Sequence, residues 1–376
     1  MDFEFSEEQE MLRKFARDFL EDNCPSEYVK QMESDETGYS AEVWNGMAEL
    51  GWMGLAFPEE FGGQEMNFFD LTVLLEEMGR ACVPGPFFAD VILGGMTILS
   101  AGTEEQKKEF LPQIADGKLI MTLALTEPSE VYTPDGIETK AVADGDDYVL
   151  NGTKLYVTDF NVADYVICVA RTKDGTDADG ITLFLVDAKA NGVSSTALQG
   201  IAADKIFEVV FADVRVPKAN IVGQLDKGWD EVEKIMARAA VGKCAEMVGG
   251  AQKVLEMSVE YAKDREQFGK PIGSFQAIQH HCANILIDVE GSKNITAQAA
   301  WRLTEGLPCD NEIALAKAFV SQAYQRVVTL AHQIHGAIGF TLDHDLPLYY
   351  RRAKAAELAF GDTTFHEETV AAEMGL

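Results

Sequence analysis

Two carboxylates, one arginine and one oddly placed aromatic residue are the side chains whose types and settings could do chemistry. Asp90 lies in "VPGPFFADVILGG", beside Phe87, Phe88, Val91 and Ile92. An aspartate buried unpaired in such a stretch is expensive, and desolvation raises its pKa toward the range useful for a general base. The other reading of Asp90 is a helix N-cap facing solvent. Glu246, in "GKCAEMVGG", is a second carboxylate, able to reach a bulky ligand or to pair with an arginine across a helical bundle. In "RRAKAAELAFGDTTFHEE" a helical pattern ends in a tight turn at Gly361, a place suited to presenting a base, yet the residue before that glycine is the apolar Phe360. Arg265, in "DREQFGKPIGSFQ", carries a guanidinium that can fork onto a phosphate group. Gly336 and Gly339, in "QIHGAIGF", permit close backbone approach to a ligand.

The arginine matters because the chain of 376 residues carries a formal net charge of -31. That field repels nucleic acid and anionic membrane alike. A phosphate-bearing ligand must therefore be held by local arginines, backbone N–H groups and helix N-termini. Cys24, Cys82, Cys168, Cys244, Cys282 and Cys309 form no CxxC pair, which argues against a zinc site or a disulfide framework and for reduced, mostly buried thiols. His280 and His281 occupy adjacent helical positions that face different ways, so both read as structural. No run approaches the roughly 18 to 20 apolar residues that span a bilayer, and the acidic start "MDFEFSEEQEMLRKF" lacks a secretory pattern. The expectation is a cytoplasmic protein with no membrane insertion.

The elements that must position these residues follow from periodicity. Residues 1–117 read as an N-terminal α-helical domain, in which Ser6 and Gln9 have capping-box spacing and Thr103 is a further N-cap. Residues 118–222 switch to short β-branched and aromatic segments bounded by Gly, Asp and Asn, the pattern of a middle antiparallel β domain. Residues 223–376 return to helices long enough for a C-terminal four-helix bundle. The first of these could run for most of its stretch with a break or kink near its glycines. The fold class is α+β, in the order α, β, α.

That order, with four phrases at matching positions, resembles the acyl-CoA dehydrogenase family of flavoproteins over essentially the whole chain. "LALTEP" is similar to the family's strand whose backbone meets the flavin, which implies cofactor contacts for Leu123, Leu125 and Thr126. "NGTKLYVTD" resembles the second flavin strand, with Tyr156 in the aromatic position beside the isoalloxazine and Thr158 in the hydroxyl position near N5. "DREQFGKPIGSFQ" implies that Arg265, Gln267, Phe268 and Gln276 reach the FAD of a neighbouring subunit. "QIHGAIGF" implies adenosine contacts for Gln333, Ile334, Gly336 and Ala337. Asp362 and Thr364 fall at cofactor positions, and Phe87, Arg238, Phe360 and Gly361 at substrate positions. The resemblance also implies an acyl-CoA substrate, FAD as cofactor, an electron-transferring flavoprotein as electron acceptor, and a tetramer.

The sequence departs from the family at its base. The C-terminal turn that usually carries the catalytic glutamate has Phe360, and the alternative position on the first bundle helix has Ala239. The loop after "TEP" reads "SEVYTPDG", with Tyr132, at a place that touches both flavin and thioester in the family. One reading is an alicyclic or branched acyl-CoA dehydrogenase in which Asp90, or behind it Glu246, replaces the lost base in a 1,4-elimination. A second is the non-catalytic partner in a heteromeric dehydrogenase, a heterotetramer. A third is a flavin oxidase or monooxygenase on the same fold.

Overall fold

The computed structural model describes residues 5–376. Six α-helices come first: α1 (Glu7–Asn23), α2 (Ser26–Ser34), α3 (Ala41–Glu49), α4 (Phe68–Ala81), α5 (Met96–Ala101) and α6 (Glu104–Ala115), with a π-helix at Phe88–Gly95. Eight strands follow: β1 (Met121–Ala124), β2 (Lys140–Asp144), β3 (Asp147–Thr158), β4 (Tyr165–Arg171), β5 (Ile181–Asp187), β6 (Val193–Leu198), β7 (Ile206–Pro217) and β8 (Ile221–Val222). Then come α7 (Trp229–Asp264), a hairpin of β9 (Glu266–Gln267) and β10 (Lys270–Pro271), α8 (Gln276–Thr304), α9 (Asp310–His335), α10 (Leu346–Leu358) and α11 (Thr363–Glu373). The expected caps form: Ser6 and Thr103 each accept the N3 backbone N–H, while Gln9 and Gln106 reach back to the cap. No described helix is long and apolar enough to cross a membrane.

The chain divides into two compact units. One holds Met32–Met66 and Pro84–Met236. Its sheet runs β6-β7-β3-β2-β4-β5-β8, with β1 paired to β4. Most pairs are antiparallel, as the sequence suggests, but β1 and β2 each meet β4 in parallel. The reason is connectivity: β2 and β3 intervene between β1 and β4, so a crossover replaces a hairpin. One face buries Leu150, Val166, Cys168, Phe184, Val209 and Val214 in a continuous core. The π-helix lies against β1 so closely that a Cβ on Gly94 would sit 2.7 Å from Met121 Cβ.

The other unit comprises the segment up to Gln31, Asn67–Val83 and Ala237–Leu376. Here α1 and α4 join the C-terminal helices. Arg17 forks onto the buried Glu77 at 2.6 and 2.9 Å, and Arg80 pairs with Glu256 at 2.7 Å. The long helix α7 runs without a break for 36 residues, contrary to the break expected at its glycines. Gly249 instead serves packing: a Cβ there would lie 1.7 Å from Glu76 O, and one on Gly79 would lie 2.0 Å from Glu246 O. The four expected bundle helices form, and α11 adds a fifth. All six cysteines are free, and burial pushes the Cys24, Cys168 and Cys244 thiols up to about 12, so these three are inert at neutral pH.

Candidate active site

In the sheet-bearing unit, the two flavin-like phrases lie side by side. Leu155 N–H donates to Thr126 O at 2.8 Å, and Thr122 Oγ1 donates to Thr158 O at 2.7 Å. Leu123 and Leu125 turn their side chains into the core and so offer a ligand only backbone. Thr126 and Thr158 are half-buried and Tyr156 is exposed. Tyr156 sits at a bulge between Lys154 and Val157 with φ +55°, a strained backbone state rare for a side chain of that size. Its hydroxyl donates to Glu130 Oε1 at 2.6 Å, which raises the phenol's pKa above its ordinary value. Glu130 is itself left-handed, at φ +55°. It lies in the altered loop with the half-buried Tyr132. Arg171 anchors that loop by donating to Pro134 O and Ile137 O.

Beneath these strands is a buried ion pair. Lys154 Nζ, wholly inaccessible, donates to Glu127 Oε1 at 2.6 Å and to Leu125 O at 3.1 Å. The Glu127 carboxylate also accepts the N–H groups of Glu138 at 2.9 Å and Thr139 at 3.0 Å. One pair thus fixes the end of β1, the middle of β3 and the return of the altered loop. Sequence reasoning misses Glu127 and Lys154, for which the available signal is a charged residue in or next to each of two strands, which must be paired if it is buried.

Asp90 is also in this unit, and it is not a solvent-facing cap. It occupies the π-helix with no exposed surface, and the neighbouring Phe87 is buried too. Its Oδ1 accepts the Met121 N–H at 2.8 Å, while Oδ2 is buried with no hydrogen-bond partner among the described residues. Burial pushes its pKa well above the usual carboxylate range, Met121 N–H pulls it back, and the charge of Asp164 raises it further. π-Helical turns are uncommon and frequent at functional sites.

In the helical unit, Arg238 and Ala239 are buried on α7. Glu246, two turns on, is engaged with Lys243 at 2.7 Å and leaves about a quarter of its side chain exposed. Phe360 and Gly361 form the turn between α10 and α11 with φ +57° and +90°. A Cβ on Gly361 would lie 2.5 Å from Phe365 Cδ1, so glycine is required there on two counts. Asp362 caps α11 through Phe365 N–H at 2.8 Å, and Thr364 is exposed.

The hairpin β9–β10 turns through Phe268 and Gly269, both left-handed, at φ +55° and +78°. Two such residues make the tight turn favoured between twisted strands. It leaves Phe268 93% exposed, its ring in edge contact with Phe275 at 6.0 Å. Arg265, Gln267 and Gln276 are exposed alongside, and the Arg265 guanidinium makes no hydrogen bond or ion pair among the described residues. At the end of α9, Gln333, Gly336 and Ala337 are exposed, whereas Ile334 is in the core. Gly336, with φ +64° and ψ -141°, holds a conformation closed to side chains, while the buried Gly339 is fixed by contacts with His335 and Leu346.

These surfaces fit FAD. An uncommitted guanidinium in a chain so acidic, an exposed glycine at a helix end and a strained exposed aromatic beside a threonine hydroxyl are what a pyrophosphate, an adenosine and a flavin ring require. Comparison with known proteins agrees. Models of the acyl-CoA dehydrogenase N-terminal, middle and C-terminal domains match residues 6–118, 122–214 and 226–375. "Probable acyl-CoA dehydrogenase YngJ" of Bacillus subtilis is 34% identical over 385 residues, covering all of both chains. The butyryl-CoA dehydrogenase structure from Megasphaera elsdenii superposes with a TM-score of 0.93 at 29% identity, covering all of both chains. A chain of the ChsE4-ChsE5 complex from Mycobacterium tuberculosis gives 0.92 at 28% identity, over 100% of this chain and 99% of that one. With every domain matched in order, the chain belongs to the acyl-CoA dehydrogenase family, FAD-dependent oxidoreductases acting on the CH–CH bonds of acyl-CoA.

Proposed function

We propose that this chain oxidises a cyclic or branched acyl-CoA thioester, with Asp90 taking the proton. The observation that carries the reading is the carboxyl of Asp90: fully buried, tethered through one oxygen and free of hydrogen bonds at the other. The two positions that supply a base elsewhere in the family hold Phe360 and Ala239, and Glu246 is occupied with Lys243. A tether from Met121 N–H orients the carboxylate, and apolar surroundings raise its pKa toward that of an effective general base. With no carboxylate at residue 360, the proton leaves a carbon remote from the thioester, as in a 1,4-elimination from an unsaturated ring. Phe360 then packs against that ring. FAD, when bound, supplies the oxidant that accepts the second hydrogen and two electrons. Tyr156 and Thr158 would flank its ring, with Leu123, Leu125 and Thr126 offering backbone. Arg265, Gln267, Phe268, Gln276, Gln333, Gly336 and Ala337 would hold the phosphate and adenosine portions of a neighbouring subunit's FAD. An electron-transferring flavoprotein takes the electrons onward, and a homotetramer completes the sites.

The test is anaerobic mixing of the yellow protein with a cyclohexene carboxyl-CoA, followed by flavin absorbance. Bleaching that is lost in Asp90→Asn supports the reading; undiminished bleaching in that variant removes Asp90 as the base. A second reading has the chain as the partner subunit of a heteromeric dehydrogenase, favoured by the missing base at residue 360 and the likeness to a chain of the two-component ChsE4-ChsE5 complex. It predicts a purified chain that is colourless until a different subunit is added.

A further inference from the structure

We infer that Lys317 is a positioning residue for the acyl-CoA pocket, holding the Phe360–Gly361 turn in place from beneath. The inference rests on the proposed role of Phe360 as a wall against the acyl group. Lys317, on α9, has no exposed surface. An ammonium has three donors, and this one has three acceptors: Glu357 O at 2.8 Å, Gly361 O at 2.8 Å and Ser321 Oγ at 3.4 Å. The two carbonyls bracket Phe360, one at the end of α10 and one within the turn. From α11, His366 Nε2 meets Phe360 O itself at 3.0 Å. The carbonyls on both sides of Phe360, and its own, are therefore bound by side chains from two other helices.

Such a clamp answers a specific need. Phe360 is left-handed, a state that strains a bulky residue and persists only when its surroundings over-determine it. A carbonyl at a helix end can be satisfied by water, so capping α10 alone does not call for a buried cation. Every acceptor of Lys317 is neutral, and burial, with a smaller push from the charge of Lys243, draws its pKa down to about 8 against the raising influence of Cys244, Glu357 and Asp362. A cation buried without an ion pair is costly; what it supplies here is the fixed geometry of one turn.

The experiment is a double-mutant cycle on binding of benzoyl-CoA, a ring thioester with no hydrogens to lose by dehydrogenation, to the FAD-loaded protein, followed by calorimetry with free CoA as control. Lys317→Met should weaken benzoyl-CoA by about tenfold, the scale of one good contact, and leave free CoA unchanged. Added to Phe360→Ala it should cost nothing more, because the two act as one unit. Equal weakening of both ligands, no weakening of either, or full additivity with Phe360→Ala overturns the inference. If Phe360→Ala leaves benzoyl-CoA binding unchanged, the placement of Phe360 is wrong and the inference falls with it; if Phe360→Ala weakens binding and Lys317→Met does not, the inference alone fails. Should Lys317→Met not fold, Ser321→Ala, which removes only the weakest acceptor, should shift benzoyl-CoA selectively by about two- to threefold, and no shift there is equally fatal.

Discussion

Replacing Asp90 by asparagine separates a brace from a base. Asparagine keeps an oxygen for the Met121 N–H but puts an amide where Oδ2 now has no partner. Burying that NH2 unsatisfied costs about 1–3 kcal/mol. An opposing effect comes from linkage. The folded-state pKa of Asp90 is raised by burial, so the native state holds the proton more tightly than the unfolded chain does. Asp90 therefore contributes stability at low pH that is lost as pH rises from the ordinary aspartate value through the raised one, at about 1.4 kcal/mol per pH unit across that window. Asp90→Asn removes this slope. Urea unfolding of the two proteins between pH 4 and 8 should converge as pH rises, leaving the variant folded near neutrality. Against that modest change in stability, loss of a general base should slow flavin bleaching by roughly 10²- to 10⁴-fold, and the wild-type bleaching rate should rise with pH above the ordinary carboxylate range. A variant that bleaches at the wild-type rate while its unfolding midpoint drops would mean that Asp90 only ties the π-helix to β1.

Three further outcomes follow from the same geometry. Lys154→Met leaves Glu127 charged and buried without its cation, and should lower stability by about 3–5 kcal/mol in urea unfolding; a loss below about 1 kcal/mol would show water entering the strand junction. Arg265→Gln should weaken FAD retention by roughly tenfold, the scale of one charge-assisted contact, seen as a lower ratio of flavin to protein absorbance after gel filtration. Phe360→Glu, in a turn already held by Lys317 and His366, should let butyryl-CoA bleach the flavin, a reaction the wild-type chain should lack; no bleaching would mean that the turn does not face the α-carbon.

Periodicity carried the elements well because their caps and faces are local. Ser6, Gln9 and Thr103 needed no tertiary contact to be recognised. What escaped was set by distant partners. The glycines of α7 look like breaks until α4 is seen lying on Gly249 and Tyr324 of α9 on Gly250. The parallel pairing of β1 depends on strands that intervene in the chain. Asp90 in an apolar phrase suited both a buried carboxyl and a surface cap; only the position of Met121 decides. Lys317 does not stand out in "ALAKAFV", where a lysine on a helix is ordinarily solvated, and its burial becomes visible only with the carbonyls of Glu357 and Gly361, 40 and 44 residues later.

The crossing of α4 and α7 also constrains how this chain can change over generations. At Gly79 and Gly249 each backbone lies where the other helix would put a side chain, and even a methyl group would overlap a carbonyl oxygen. Surface residues around the crossing can drift singly, but these two positions have no stepwise path to any other amino acid. A descendant that lost either glycine would have to move two helices together, and the Arg80–Glu256 pair with them.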